Sequence, residues 1–311
     1  LRVPLLALLA ILVASPPVAR AAHPDGHDPR VLAEDPQSAQ GPIAPVLTGM
    51  GDNHFPVTTT SPEAQRFFDQ GLVLTYGFNH TEALRAFKEA ARLDPDLAIA
   101  YWGWALVLGP NLNLAMSAEA GAQAYEAIQL ALERIDGAGD RERRLIEALA
   151  TRYSADPTAE RAALDAAYAE AMAAVHAEFP DDNDIATLYA AALMNTSPWN
   201  YWTPEGRPRS STDLIAAVLE GVIARDPHHE GALHYFIHLV EPTDPWRGER
   251  AADLLRGLAP NAGHLEHMPS HIYMQVGRYT ESYDANVRAA EADEEYITQC
   301  LAQGIYPLTY Y

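Results

Sequence analysis

Histidine is the residue type whose spacing in this sequence most invites chemistry. Twelve occur, and seven of them fall between His228 and His271. His234 and His238 stand four residues apart, as do His267 and His271, and His264 lies three before His267. On a helix a four-residue step is about one turn, roughly 6 Å of rise, so both imidazoles share a face. Two imidazoles at that spacing can grip one ion, as in i,i+4 zinc pairs. Pro227 and Pro260 set a common frame, in which His234 and His238 take the fifth and ninth places of one unit. His267 and His271 take the same two places in the next, and His264 takes its second place. Four imidazoles could then surround one ion, with His264 as an outer ligand or, beside a carboxylate, helping to hold a second. A site rich in imidazole and free of thiolate suits Zn, Cu, Fe or Ni; Cu, Zn or Fe is the expected cofactor. Glu241, three residues after His238, is a candidate to orient a ring, as are Glu266 and Asp244. Pro269 works against the pattern, because proline inside a helix removes a hydrogen bond and bends the axis. If a helix starts at Pro269, His267 lies outside it and the four-residue spacing loses its meaning.

Other residues carry weaker chemical signals. Pro198-Trp199-Asn200-Tyr201-Trp202 sits in a proline-bounded loop. Trp199, Tyr201 and Trp202 could form a lid or stacking surface over a ligand groove, or simply pin the loop by apolar burial. His228-His229 follows a helix end and reads as structural. His80 opens a helix, where polar side chains satisfy free N–H groups, and reads as a capping or packing residue. His23 and His27 near the start could bind metal, whereas the single Cys300 reads as a small core residue. No phosphate loop, dinucleotide fingerprint or G-x-S-x-G elbow is present. Metal-assisted oxidation or hydrolysis would follow only if a coordination position stays open, so the sequence leaves enzymatic activity undecided.

The elements that must position these residues are helical. The chain has 311 residues, enough for a sizeable core or several stacked units. Alanine-rich windows dominate and β-branched runs are few. Lys and Arg number 21 against 42 Asp and Glu, a formal charge of −21. That surface repels nucleic acid, whose binding needs cationic contacts, and it suits metal ions or basic partners. At the start, Val3 to Ala14 is apolar and precedes Ala19-Arg20-Ala21, an A-x-A site. Residues 1–21 therefore read as a secretory signal, too short to span a bilayer comfortably. A periplasmic or secreted location follows, with no membrane span after cleavage. Residues 22–60 hold many Pro, Gly, Asp and His and no apolar period, and read as a flexible leader.

From Ser61 the apolar pattern becomes helical. Ala64 to Leu97 forms a unit of 34 residues that sets Phe67, Gly71, Ala83, Phe87, Ala90 and Pro95 at fixed offsets. Gly71 and Ala83 are small where two helices touch, Phe67 and Phe87 fill the space beside them, and Asp94-Pro95 stops the second helix. This unit resembles the tetratricopeptide repeat (TPR) family. Looser units follow, paired as Ala98–Gly109 with Ala118–Ile135, Arg141–Tyr153 with Glu160–Phe179, Ile185–Met194 with a helix from Thr212, Glu230–Val240 with Arg250–Leu258, and Gly263–Val276 with Thr280–Ala292. Glu295–Ala302 is expected to begin a seventh, unpaired helix. Residues 61–311 also resemble a group of exported bacterial tetratricopeptide proteins of uncharacterised function. That likeness rests on Phe68-Asp69-Gln70-Gly71, Gly77-Phe78-Asn79-His80, Ala100-Tyr101-Trp102-Gly103 and His267-Met268-Pro269-Ser270-His271-Ile272-Tyr273.

The resemblance implies an all-α, right-handed superhelical solenoid of about six helical hairpins, truncated before its C-terminal cap. It also implies that the fifth and ninth places of a unit line the concave groove where ligands bind. The expected function is an exported repeat protein whose groove binds a transition metal through His234, His238, His267 and His271. The alternative is a scaffold for a protein or peptide partner, without metal or catalysis.

Overall fold

The computed structural model describes residues 35–37 and 39–299. The expected signal, His23, His27 and Cys300 lie outside the described residues. Among them the chain is all-α, with no strand beyond one isolated bridge between Trp202 and Pro208. The helices run α1 (Pro62–Tyr76), α2 (His80–Leu93), α3 (Ala98–Leu108), α4 (Ala118–Glu133), α5 (Asp140–Ala150), α6 (Arg161–Glu178), α7 (Asn183–Asn195), α8 (Thr212–Arg225), α9 (Glu230–Val240), α10 (Glu249–Leu255), α11 (Gly263–His267), α12 (Pro269–Gln275) and α13 (Tyr279–Gln299). Consecutive helices pack as six hairpins, with α11 and α12 together forming the first arm of the sixth against α13. The result is a tetratricopeptide-like solenoid.

The first hairpin shows how local chemistry sets the fold. Ser61 accepts a hydrogen bond from the Ala64 N–H (3.1 Å), and Pro62 occupies the first turn of α1, where its missing N–H costs nothing. Asn79 caps α2 through the Glu82 N–H (3.3 Å). Gly71 of α1 and Gly103 of α3 both press on the Phe87 ring; a Cβ at Gly103 would lie 2.4 Å from it. Three helices can therefore meet around one buried aromatic, which also packs edge-on to Phe68.

Three sequence expectations change. The 22–60 segment, read as a flexible leader, is over its described part an extended strap with Ile43, Ala44, Leu47 and Phe55 buried. An extended chain must find partners for its N–H groups, and α1 side chains supply them. Gln70 accepts from the Leu47 N–H (2.8 Å), Asp69 from the Phe55 N–H (3.0 Å) and Gln65 from the Val57 N–H (2.8 Å). Without a periodic apolar pattern the sequence could not show this, because the partners lie on another element. The separate seventh helix is also absent among the described residues: α13 runs unbroken to Gln299, since no Gly or Pro interrupts 280–299. In the fifth hairpin α10 ends at Leu255, earlier than expected, where Gly257 turns the chain at φ +79°.

The solenoid closes on itself. The Asn261 amide donates to the Thr48 carbonyl (2.9 Å), tying the strap to the sixth hairpin. Tyr296 of α13 donates to Glu82 of α2 (3.3 Å), and α1 packs directly on α9. First, fifth and sixth hairpins thus meet, with the α1–α2 turn at their junction. Among the described residues no helix is long and apolar enough to cross a membrane.

Candidate metal centre

α9 is buried along its whole length, as expected of a helix that packs on every side. His229 starts it by accepting from the Ala232 N–H (3.2 Å), so the helix-end role read from sequence is in fact an N-cap. Its Nε2 faces Asp184 (3.3 Å), which also accepts from the Tyr76 hydroxyl (2.7 Å). Burial opposes charge on His229, but Asp184 outweighs it and raises the pKa. His234 and His238 project from the interior of this helix, essentially without solvent contact.

The sixth hairpin carries the other three histidines, and Pro269 does not separate them. Met268 stays in helical geometry (φ −54°, ψ −38°) between α11 and α12. The proline removes one i→i−4 bond, and the His271 N–H reaches the Met268 carbonyl instead (3.2 Å). His267 and His271 keep a common face, with ring centroids 4.8 Å apart.

Hydrogen bonds fix which ring nitrogen carries the proton. His234 Nδ1–H donates to the Tyr76 carbonyl. His238 Nδ1–H donates to Glu241 Oε1 (2.8 Å), and His271 Nδ1–H donates to Glu241 Oε2. His267 Nδ1–H donates to Asn286 Oδ1 (2.7 Å); the Asn286 amide nitrogen is engaged by the Ser282 carbonyl (2.8 Å), so its oxygen is the acceptor. A neutral imidazole has one N–H and one lone pair. With the proton on Nδ1, the buried neutral rings of His234 and His238 each present a lone pair at Nε2.

The Nε2 atoms of the cluster face one another. His267 and His271 bring their Nε2 atoms to 2.9 Å, and His234 and His264 bring theirs to 3.2 Å. His238 Nε2 is buried and has no hydrogen-bond partner, an arrangement that needs an explanation in a native interior. Nitrogens that share a tetrahedral ion at 2.0–2.1 Å stand about 3.3 Å apart, which the His234–His264 pair matches and the shorter His267–His271 pair does not. Ligand atoms of His234, His238 and His264 all lie within 4.8 Å of one another. Those of His238, Glu241 and His271 do too, but hydrogen bonding accounts for that group, with Glu241 as the shared acceptor.

The electrostatics favour the neutral form of His234, His238, His264 and His267. Burial pushes His234 and His264 well below the usual imidazole range, and neighbouring histidines push them further. Burial also lowers His238, against the pull of Glu241. Burial and then His271 bring His267 down to about 4. Burial alone would raise Glu241, yet hydrogen bonds from His238 and His271 hold it at about 2. An ionised carboxylate thus orients two imidazole rings through their Nδ1 edges.

Two aromatics enclose the cluster. Phe78, in the α1–α2 turn, adopts φ +58°, a left-handed conformation that is strained for a bulky residue. It lies 4.5 Å from the His234 ring and stacks over His238 at 5.8 Å and 15°. Trp199 meets His238 edge-on at 5.2 Å, is 46% exposed, and donates to Asn113 Oδ1 (3.1 Å).

The sequence-predicted residues divide plainly. His234, His238, His264, His267, His271 and Glu241 are brought together. His264, expected as an outer ligand, lies directly against His234. Trp199 reaches the cluster, but Tyr201 and Trp202 do not line it: their polar atoms hold the Met194 and Leu239 carbonyls (3.3 and 2.7 Å). Glu266 is engaged by Arg288 and the Gly257 N–H (2.9 and 2.8 Å), so it orients no imidazole. His80 contacts the Val107 carbonyl (3.1 Å), in keeping with a packing role. Phe78, Asn286 and the Tyr76 carbonyl were not anticipated. Gly77-Phe78-Asn79-His80 was visible as a motif, but nothing in it pointed across the molecule to α9.

Fold and site together define a class: an all-α, tetratricopeptide-like solenoid with a buried polyhistidine centre where its first, fifth and sixth hairpins meet. No protein-family model matches the sequence, and no curated protein matches it. Among solved structures the chain is similar to MamA MSR-1, with 14% identity, 76% of this chain and 99% of that one covered, and a TM-score of 0.33. It is also similar to MamA AMB-1, with 13% identity, 74% and 92% covered, and a TM-score of 0.33.

Proposed function

We propose that this chain is an exported metal-binding repeat protein, whose cluster of His234, His238, His264, His267 and His271 holds a transition metal. One observation carries the reading: five buried or half-buried imidazoles gather in one place, four of them with Nδ1 against outward acceptors, and their Nε2 atoms face one another in two pairs. A structural histidine in a core needs only one satisfied nitrogen pair; an orphaned Nε2 at His238 beside two facing Nε2 pairs fits a cation. The donor set, all imidazole with a carboxylate behind it, favours Zn, Cu or Fe over Mg or Ca. The cluster is buried beneath Phe78 and Trp199, which favours metal over a peptide partner at this position. Export rests on the signal-like residues 1–21.

Metal analysis of protein purified without added metal, and again after reconstitution and desalting, tests the reading. Wild type should retain metal and His238→Ala should lose most of it while keeping its helical circular dichroism. Equal metal content in the two proteins would refute the site. Amino-terminal sequencing of protein recovered from the cell envelope fraction tests export; a mature start near Ala22 is expected, and an uncleaved cytosolic chain would refute it.

A further inference from the structure

Between α3, α6, α7 and the α1–α2 turn the core leaves a cavity of about 40 Å³, room for about three water molecules. Phe78 lines it and also packs on His234 at 4.5 Å, so the space lies one ring away from the histidine cluster. Leu106, Leu112, Leu188 and Ala192 make much of its wall apolar. Pro110, Ala191 and Asn195, which also line it, are only half-buried and mark the side open to a ligand. Two polar groups interrupt the apolar wall. Tyr168 is buried, and its hydroxyl has no hydrogen-bond partner, which a native interior seldom tolerates. Burial raises the Tyr168 pKa, so that hydroxyl keeps its proton and can donate. Arg152 is buried as well. Its Nε donates to Asp165 (2.9 Å) and its Nη2 to the Pro110 carbonyl (3.1 Å), and Nη1 remains for another acceptor.

The charge at this wall is not balanced from within. Arg161 also donates to Asp165 (3.0 Å), so two guanidinium groups share one carboxylate. A buried cation needs a full counter-charge, and half of one is missing. The Arg152 guanidinium lies 5.0 Å from the centre of the Tyr168 ring, so the cation and the free hydroxyl are within reach of one small ligand. A water molecule would satisfy the hydroxyl but not the charge, and the leucines suit an alkyl group better than water. We propose that this cavity is a binding site for a small aliphatic carboxylate of about two or three carbons, the size its volume admits, with the anionic end on Arg152 and Tyr168. Donors of this kind, a guanidinium and a hydroxyl, give strong charge-assisted hydrogen bonds to a carboxylate. The site uses none of the clustered histidines of α9, α11 and α12, and it stands whether or not they hold a metal.

Calorimetric titration of the full chain tests the proposal with three probes: propionate, its neutral isostere propionamide, and benzoate, which is too large for the cavity. Propionate should bind saturably with one equivalent per chain. Propionamide should bind at least about tenfold more weakly, because it lacks the charge that strengthens the hydrogen bonds, and benzoate should not compete. Tyr168→Phe removes only the unpartnered hydroxyl. It should leave the urea midpoint unchanged or raised, and weaken propionate about tenfold or more, the worth of one hydrogen bond to a charged group. The comparison of propionate with propionamide is made on wild type, so it answers even if the variant fails to fold. No saturable propionate binding, or equal binding of the amide, overturns the proposal. Benzoate binding as well as propionate, or an affinity unchanged in Tyr168→Phe, places the ligand elsewhere and overturns it too.

Discussion

Glu241→Gln is the substitution that most sharply separates an ordered metal centre from a crowd of histidines. The carboxylate accepts one N–H from His238 and one from His271. Glutamine has nearly the same shape but only one acceptor oxygen; its other end donates. One imidazole must therefore turn over its tautomer, offering the Nδ1 lone pair to the amide and placing its proton on Nε2. That proton then occupies the metal face of the ring. His271, the more exposed of the two, is expected to give way. Changing an outer partner of this kind typically weakens metal affinity about 10- to 100-fold, or about 1.4–2.7 kcal/mol. The assay is competition against a chromophoric chelator for Zn(II) or Co(II), with circular dichroism to confirm an unchanged fold. An affinity within about twofold of wild type, below the range given, would refute the claim that Glu241 sets the ligand tautomers.

Acid should destabilise the metal-free protein before Glu241 is titrated, the buried histidines outweighing Glu230, which burial raises to about 7 and which acts in the opposite direction. His267 stays neutral in the fold down to about 4 but titrates near 6.5 when unfolded. Between these values the unfolded chain holds the extra proton, so stability falls as pH falls through that window, by roughly 3 kcal/mol from this residue alone. His234, His238 and His264 act in the same direction. The stability that Glu241 lends is lost only lower, as pH falls from its ordinary 4.5 through about 2. Urea midpoints of the metal-free protein should therefore drop between pH 7 and pH 5, and equal midpoints would contradict the buried neutral cluster. Phe55→Ala should cost about 3–5 kcal/mol, as for a buried aromatic, because the strap is packed; no change in the urea midpoint would show that it is not. Gly103→Ala should cost about 1–3 kcal/mol by overpacking against Phe87, seen as a lower melting temperature. An unchanged melting temperature would mean that α3 does not approach that ring so closely.

The repeat was legible because its signals are local. Six residues at fixed offsets, Ser61 before an apolar period and the Asp-Pro stop at 94–95 place the first hairpin within a few residues of where it stands. The histidine pairs were legible for the same reason, since i,i+4 spacing is a property of one helix. What the sequence could not show is what distant elements bring. Phe78 reaches His234 across 156 positions through a turn whose left-handed backbone has no glycine to announce it. The Tyr76 acceptor is a main-chain carbonyl, which no residue type encodes. The strap looked unstructured because its hydrogen-bond partners are side chains of α1 rather than a periodic pattern of its own. Tyr201 and Trp202 looked like Trp199, yet only the chain path decides which ring of a cluster faces a site.

X-ray absorption at the metal edge of the reconstituted protein tests the central claim most directly. A first shell of nitrogen is expected at about 2.0–2.1 Å, the distance of zinc to histidine, with the outer-shell scattering of several imidazoles. Loss of part of that scattering is expected in His264→Ala. A shell of oxygen alone, or a protein that holds no metal after desalting, would contradict the claim.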